Sequence, residues 1–115
     1  MTITIKKYVR KDQSTPFQQW YSRLDRRAMA KVSAAIFRLQ QGNFSQVKWF
    51  SGIGEYVIDW GSGYRIYLAK DDEDVVILFD GGTKKRQQID ITRAKNLHDE
   101  FKLRKKAKDG GTLWN

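Results

Sequence analysis

Four cations and a phenol stand in this chain at a spacing that suits phosphodiester chemistry. Arg65 and Tyr67 alternate along Gly63-Tyr64-Arg65-Ile66-Tyr67, and Lys84, Lys85 and Arg86 follow the glycine corner Asp80-Gly81-Gly82-Thr83. Cleaving RNA without a metal requires a base near the ribose 2′-hydroxyl, cations around the phosphorane and an acid at the 5′ leaving oxygen. Arg65 is the candidate for a bidentate grip on the scissile phosphate. Lys48, Lys84 or Lys85 is the candidate base if neighbouring cations lower its pKa. Tyr67 would stack on a base or orient the 2′-hydroxyl. Lys85, Arg86 and Arg93 extend the same basic run as candidate RNA contacts.

Each of these residues also has a plainer structural reading. Arg65 could form a cross-strand ion pair with Glu55 or Asp59, Tyr67 could be an ordinary strand tyrosine, and Lys84 to Arg86 could be a solvated helix start. Asp90, an acid in the first turn of the last helix, complements the helix dipole and holds the adjacent cations. His98 is the single histidine, so chemistry resting on a histidine pair is excluded, and a lone helical histidine reads as a solvated surface residue.

Composition points the same way. Twenty-two Lys and Arg against 13 Asp and Glu give a net charge of +9, and a basic surface is a natural polyanion binder because binding releases counterions. Between Lys84 and Lys108 there are ten basic and three acidic residues, so most of the excess lies there. Cysteine is absent, which excludes disulfides, thiolate metal sites and cysteine nucleophiles and suits a cytoplasmic location. The acids Asp71 to Asp74 are consecutive in a turn and do not converge as metal ligands would, so neither metal nor cofactor is expected. No apolar run has the length of a membrane span, and the N-terminus lacks a signal core.

The elements that must position these residues are legible from periodicity. A length of 115 residues suits one domain, taken as 1–108, with a loose tail over 109–115. Ile3 and Ile5 alternate at strand period. Thr15, Pro16 and Gln18 mark a helix start, with Phe17, Trp20, Tyr21 and Leu24 on one face. Asp25 caps a second helix whose stripe is Met29, Val32, Ile36 and Leu39, stopped by Gly42. Strands follow over 47–50, 55–60, 64–69 and 75–79, separated by turn segments that imply an antiparallel meander. Val75 to Phe79 has no polar alternation, so this strand should be covered on both faces. A helix from about Gln87 to Ala107 carries the stripe Ile91, Ala94, Leu97 and Phe101. Tyr64, Ile66 and Leu68 should lie under the helices, leaving Arg65 and Tyr67 on a more open face.

These segments resemble the RelE/ParE superfamily of small toxins, in its HigB-like branch with phage relatives, over roughly residues 1–103. The resemblance is carried by Asp25-Arg26-Arg27-Ala28, Gly42-Asn43-Phe44, Val47-Lys48, Gly63 to Tyr67, Gly81-Gly82-Thr83-Lys84, Gln87, Asp90-Ile91 and Ala94. It implies an α+β, RelE-like microbial-ribonuclease fold: an N-terminal strand, a helical hairpin, an antiparallel sheet of about four strands and a C-terminal helix. It further implies a metal-independent endoribonuclease that cleaves messenger RNA on the ribosome. Such a toxin is silenced by a cognate antitoxin with a helix-turn-helix DNA-binding domain, and reaches operator DNA only through that antitoxin. Arg65 and Lys84 match the family pattern, whereas Glu55-Tyr56-Val57-Ile58 carries Val57 where the family has arginine. The gyrase-inhibiting branch shares the fold and is one alternative. A basic RNA- or ribosome-binding protein without cleavage is the other.

Overall fold

A computed structural model of the chain describes residues 2–107, so the tail expected over 109–115 lies outside the described residues. Strand β1 (Thr4–Lys7) leads into helices α1 (Pro16–Ser22) and α2 (Arg26–Gln40). Strands β2 (Val47–Phe50), β3 (Ile53–Ile58), β4 (Tyr64–Asp72) and β5 (Val75–Thr83) follow, then a 3-10 turn (Lys84–Arg86) and helix α3 (Gln87–Lys106). Local chemistry explains the helix starts. Pro16 occupies the first helical position of α1, where a missing N–H costs nothing. Asp25 accepts from the Ala28 N–H at 2.9 Å and caps α2. At the far end of α2, Gly42 adopts φ +81°, the left-handed conformation that ends a helix cheaply.

The sheet has five strands in the order β1-β5-β4-β3-β2. β2 to β5 form the expected antiparallel meander, but β1 joins its edge by pairing parallel to β5, from Thr4 opposite Val75 to Lys7 opposite Leu78. The expected four-stranded antiparallel sheet is therefore a mixed five-stranded one. The helical hairpin makes this possible, because it carries the chain across the sheet between β1 and the meander.

The helices divide between the two faces. Phe17, Val32, Ala35 and Leu39 pack with Tyr56, Ile66, Leu68 and Leu78 on one side. On the other, Ala94, Leu97 and Phe101 of α3 cover Ile53, Tyr67, Ala69, Ile77 and Phe79. The face expected to be more open is thus covered, and Arg65 and Tyr67 lie in its interior at 8% and 0% exposure. The uninterrupted apolar run in β5 is what demands this second cover. Beyond β1, Arg10 donates to Glu100 at 3.1 and 2.8 Å, and Arg104 donates to the Val9 carbonyl at 2.8 Å, fastening the chain to α3. No helix among the described residues is long and apolar enough to cross a membrane.

Candidate functional site

The Gly61-Ser62-Gly63 turn joins β3 to β4 with both glycines in the left-handed region, at φ +56° and +72°. Lys84 donates its backbone N–H to the Ser62 carbonyl at 3.3 Å, tethering the 3-10 turn to this hairpin. Arg65 folds back along β4 and donates from Nη1 to the Gly63 carbonyl. A Cβ built on Gly63 would fall 2.8 Å from Arg65 Nη1 and 3.3 Å from Lys84 Cβ. Arg65 and Lys84 therefore converge on one glycine, from β4 and from the turn after β5. Lys85 and Arg86 are exposed on the same turn.

Behind this pair, strand register builds a polar row. Lys48 is opposite Glu55, Glu55 is opposite Tyr67, and Tyr67 is opposite Asp80, so all four side chains share the face that α3 covers. Glu55 Oε2 accepts from Tyr67 Oη at 3.0 Å and from Gln87 Nε2 at 2.9 Å, with Arg65 Nε 3.9 Å away. The ion pair with Glu55, one of the plainer readings of Arg65, is present. Burial raises the Tyr67 pKa, and the charge and hydrogen bond of Glu55 raise it further. Tyr67 has no exposed surface on which a base could stack. Lys48 lies exposed on the edge strand, on the same face but at its rim.

Arg93 belongs to a different cluster. Its Nη1 lies 3.6 Å from Asp80 Oδ2 and 4.0 Å from Asp90 Oδ1. Both acids are only 3% exposed, and desolvation raises both pKa values while Arg93 opposes the shift. A bulge in β5 aims Asp80 inward: Tyr67 is opposite Asp80 but Leu68 is opposite Leu78, so Phe79 and Asp80 both face α3. Asp90 reaches the sheet because Gly82 has no side chain; a Cβ there would lie 1.9 Å from Asp90 Oδ2. Asp90 does hold a cation from the first turn of α3, as expected of it, and it does so from a buried position. Asp80 went unread as a site residue. Its signal was an acid ending an otherwise apolar strand, followed by two glycines.

His98 also departs from its reading as a solvated residue. It is partly buried and its ring stacks on Phe101 at 6.4 Å and 18°, with Phe79 at 5.4 Å. Burial lowers its pKa, with Lys102 adding to the shift. Among the described residues no three of His, Cys, Asp and Glu are grouped as metal ligands would be.

No family model matches the chain, and no solved structure matches it. An uncharacterized protein of Haemophilus influenzae is 45% identical to it over 105 residues, which cover 90% of this chain and 100% of that protein. The chain belongs to the family of that Haemophilus influenzae protein. A matched span of 105 of the 115 residues takes in the stretch from Gly63 to Lys84.

Proposed function

We propose that the chain is the toxin of a type II toxin–antitoxin pair, an endoribonuclease that cuts messenger RNA on the translating ribosome. The observation that carries this reading is the meeting of Arg65 and Lys84 at Gly63, in front of a turn made of three consecutive cations. The net charge of +9 and the resemblance of the Gly63–Tyr67 and Gly81–Lys84 segments to RelE/ParE toxins support it.

In the proposed reaction the ribose 2′-oxygen attacks phosphorus, its proton passes to a base, and the bond to the 5′-oxygen breaks as that oxygen gains a proton. Arg65 supplies a fixed positive charge to the phosphorane. A guanidinium tied to a carbonyl and almost out of water needs little reorganisation as negative charge develops, which is where electrostatic catalysis is strongest. Lys84, whose Cβ lies beside Gly63, supplies a second cation, Lys85 and Arg86 hold the strand, and Lys48 stands exposed at the rim opposite Glu55, two strands from Arg65. Tyr67 and Glu55 support Arg65 from beneath.

A second reading, an RNA- or ribosome-binding protein without cleavage, is favoured by Val57. It stands opposite Arg65 in β3, at the place where the resemblance carries another arginine. Expression without a partner separates the readings. Growth arrest with cut messenger RNA supports the nuclease, arrest with intact messenger RNA supports the binder, and trapped gyrase cleavage complexes would move the protein to the gyrase-inhibiting branch.

A further inference from the structure

The outer edge of β5 is only half covered. β1 pairs with it as far as Leu78, Tyr8 donates its backbone N–H to the Leu78 carbonyl at 2.9 Å, and the chain then departs. From Phe79 to Thr83 the edge is bordered by α1 and α3 instead of a strand. Two clefts of about 310 Å³ each lie along it, and they share Trp20, Arg23 and Arg93. The first also reaches Arg10 and Asp80, and the second reaches Arg86 and Asp90. Together they form one groove, and its Arg86 end belongs to the turn that begins at Lys84.

The chemistry of this groove is that of a track for a polyanion with flat bases. Arg10 is committed to Glu100. Arg23 and Arg86 are exposed, and the charge of Arg86 acts on Asp90 without closing to a direct ion pair. Arg93 sits over two buried carboxylates at distances longer than hydrogen bonds, with 52% of its side chain exposed. Asp80 Oδ2 and Asp90 Oδ2 have no hydrogen-bond partner, so these acids hold Arg93 by their field while about half of its side chain stays open to water. Trp20 rests on Gly81, where a Cβ would come within 2.2 Å of the indole, and it remains partly exposed where the clefts meet.

We propose that this groove binds the single-stranded RNA flanking the cleaved bond. Trp20 stacks on a base, Arg23, Arg86 and Arg93 take phosphates, and Asp80 and Asp90 are positioning residues for Arg93. The inference rests on the nuclease reading for its ligand, and it adds a binding track on the opposite side of β5 from the hairpin site. Stacking on an aromatic ring is sequence-tolerant, and its loss weakens binding about tenfold. On a single strand each phosphate contact contributes about 0.7 to the salt slope.

The test is fluorescence anisotropy with a labelled, 2′-O-methylated oligoribonucleotide, titrated with the full chain at several salt concentrations. Arg23→Ala, Arg86→Ala and Arg93→Ala are each expected to weaken binding several-fold and to reduce the salt slope by about 0.7. Asp80→Asn is expected to reduce the slope in the same way although it removes a negative charge, which a merely structural role would not do. Trp20→Leu is expected to weaken binding about tenfold with the slope unchanged; if that variant fails to fold, the exposed arginines decide. Arg27→Ala, on the surface of α2 away from the groove, is the control. Equal losses in Arg27→Ala and the groove variants, or a groove without effect while the wild type binds, would overturn the groove and leave the nuclease reading standing. A wild-type chain that does not bind the RNA would overturn the groove, while the nuclease reading, in which the ribosome presents the message, stands or falls on the cutting of translated messenger RNA.

Discussion

Tyr67 donates its phenolic hydrogen to Glu55 across 3.0 Å from a position with no exposed surface. This bond turns a residue whose type suggests RNA stacking into part of the floor beneath Arg65. Because burial and Glu55 both raise its pKa, the phenol stays protonated and remains a donor.

Replacing Tyr67 by phenylalanine therefore tests a structural role. Tyr67→Phe is expected to cost about 1–2 kcal/mol, since Glu55 keeps the hydrogen bond from Gln87, and to leave RNA cleavage within a few-fold of wild type. Urea denaturation and a cleavage assay on the same preparation check this. A stable Tyr67→Phe protein without cleavage would place the phenol in the reaction.

The two glycines after Asp80 are expected to resist even alanine. A Cβ at Gly81 would enter the Trp20 ring, and one at Gly82 would enter the Asp90 carboxylate. Overpacking of this kind costs about 1–3 kcal/mol, so Gly81→Ala and Gly82→Ala should both lower the denaturation midpoint. A midpoint equal to wild type in either would contradict the close approach.

The buried acids give a pH dependence with a definite sign. Asp80 and Asp90 have folded pKa values above the ordinary value of about 3.9, so the unfolded chain loses these protons first. Their contribution to stability is present at lower pH and is lost as pH rises from about 4 through the raised values. Asp80→Asn cannot ionise, so it should gain on the wild type across that range when urea midpoints are compared from pH 3 to 8. A variant that instead loses ground as pH rises would mean that Arg93 stabilises the charged form more than burial disfavours it.

His98 contributes the opposite dependence. Its folded pKa is lowered, so the unfolded chain binds the proton first, and stability is lost as pH falls below about 6.5. His98→Ala should remove this slope and cost about 1–2 kcal/mol, because the ring packs on Phe79 and Phe101. An unchanged melting temperature would return His98 to the surface.

Local signals in the sequence were enough for the helix starts at Pro16 and Arg26, the strand meander and the long last helix. Each rests on neighbours within a few residues: Pro16 at a first turn, Asp25 as a cap, glycine turns between alternating runs. The parallel pairing of β1 with β5 was not legible, because it joins residues some seventy positions apart and no local rule selects the partner. The bulge at Phe79 and Asp80 was hidden for a related reason. Strict alternation would send Asp80 to the other face, and only the register against Tyr67 and Leu68 reveals the extra residue. The apolar run in β5 implies a covered second face, but placing the Tyr64, Ile66 and Leu68 face under the helices leaves no helix to supply that cover. That error made Arg65 and Tyr67 look open. Arg65 does follow a glycine turn, but the pair Gly81-Gly82, which reads in the sequence as a corner before Lys84, lies inside β5 opposite Ile66 and Arg65.

The central claim is that Arg65 and Lys84 cut messenger RNA, and mapping RNA 5′ ends after incubating purified protein with translating ribosomes tests it most directly. Wild type is expected to create new ends within the translated message, and folded Arg65→Ala and Lys84→Ala proteins are expected to cut at least about a hundredfold more slowly. A wild-type protein that leaves the message intact, or a folded Arg65→Ala protein that cuts as fast as wild type, would contradict it.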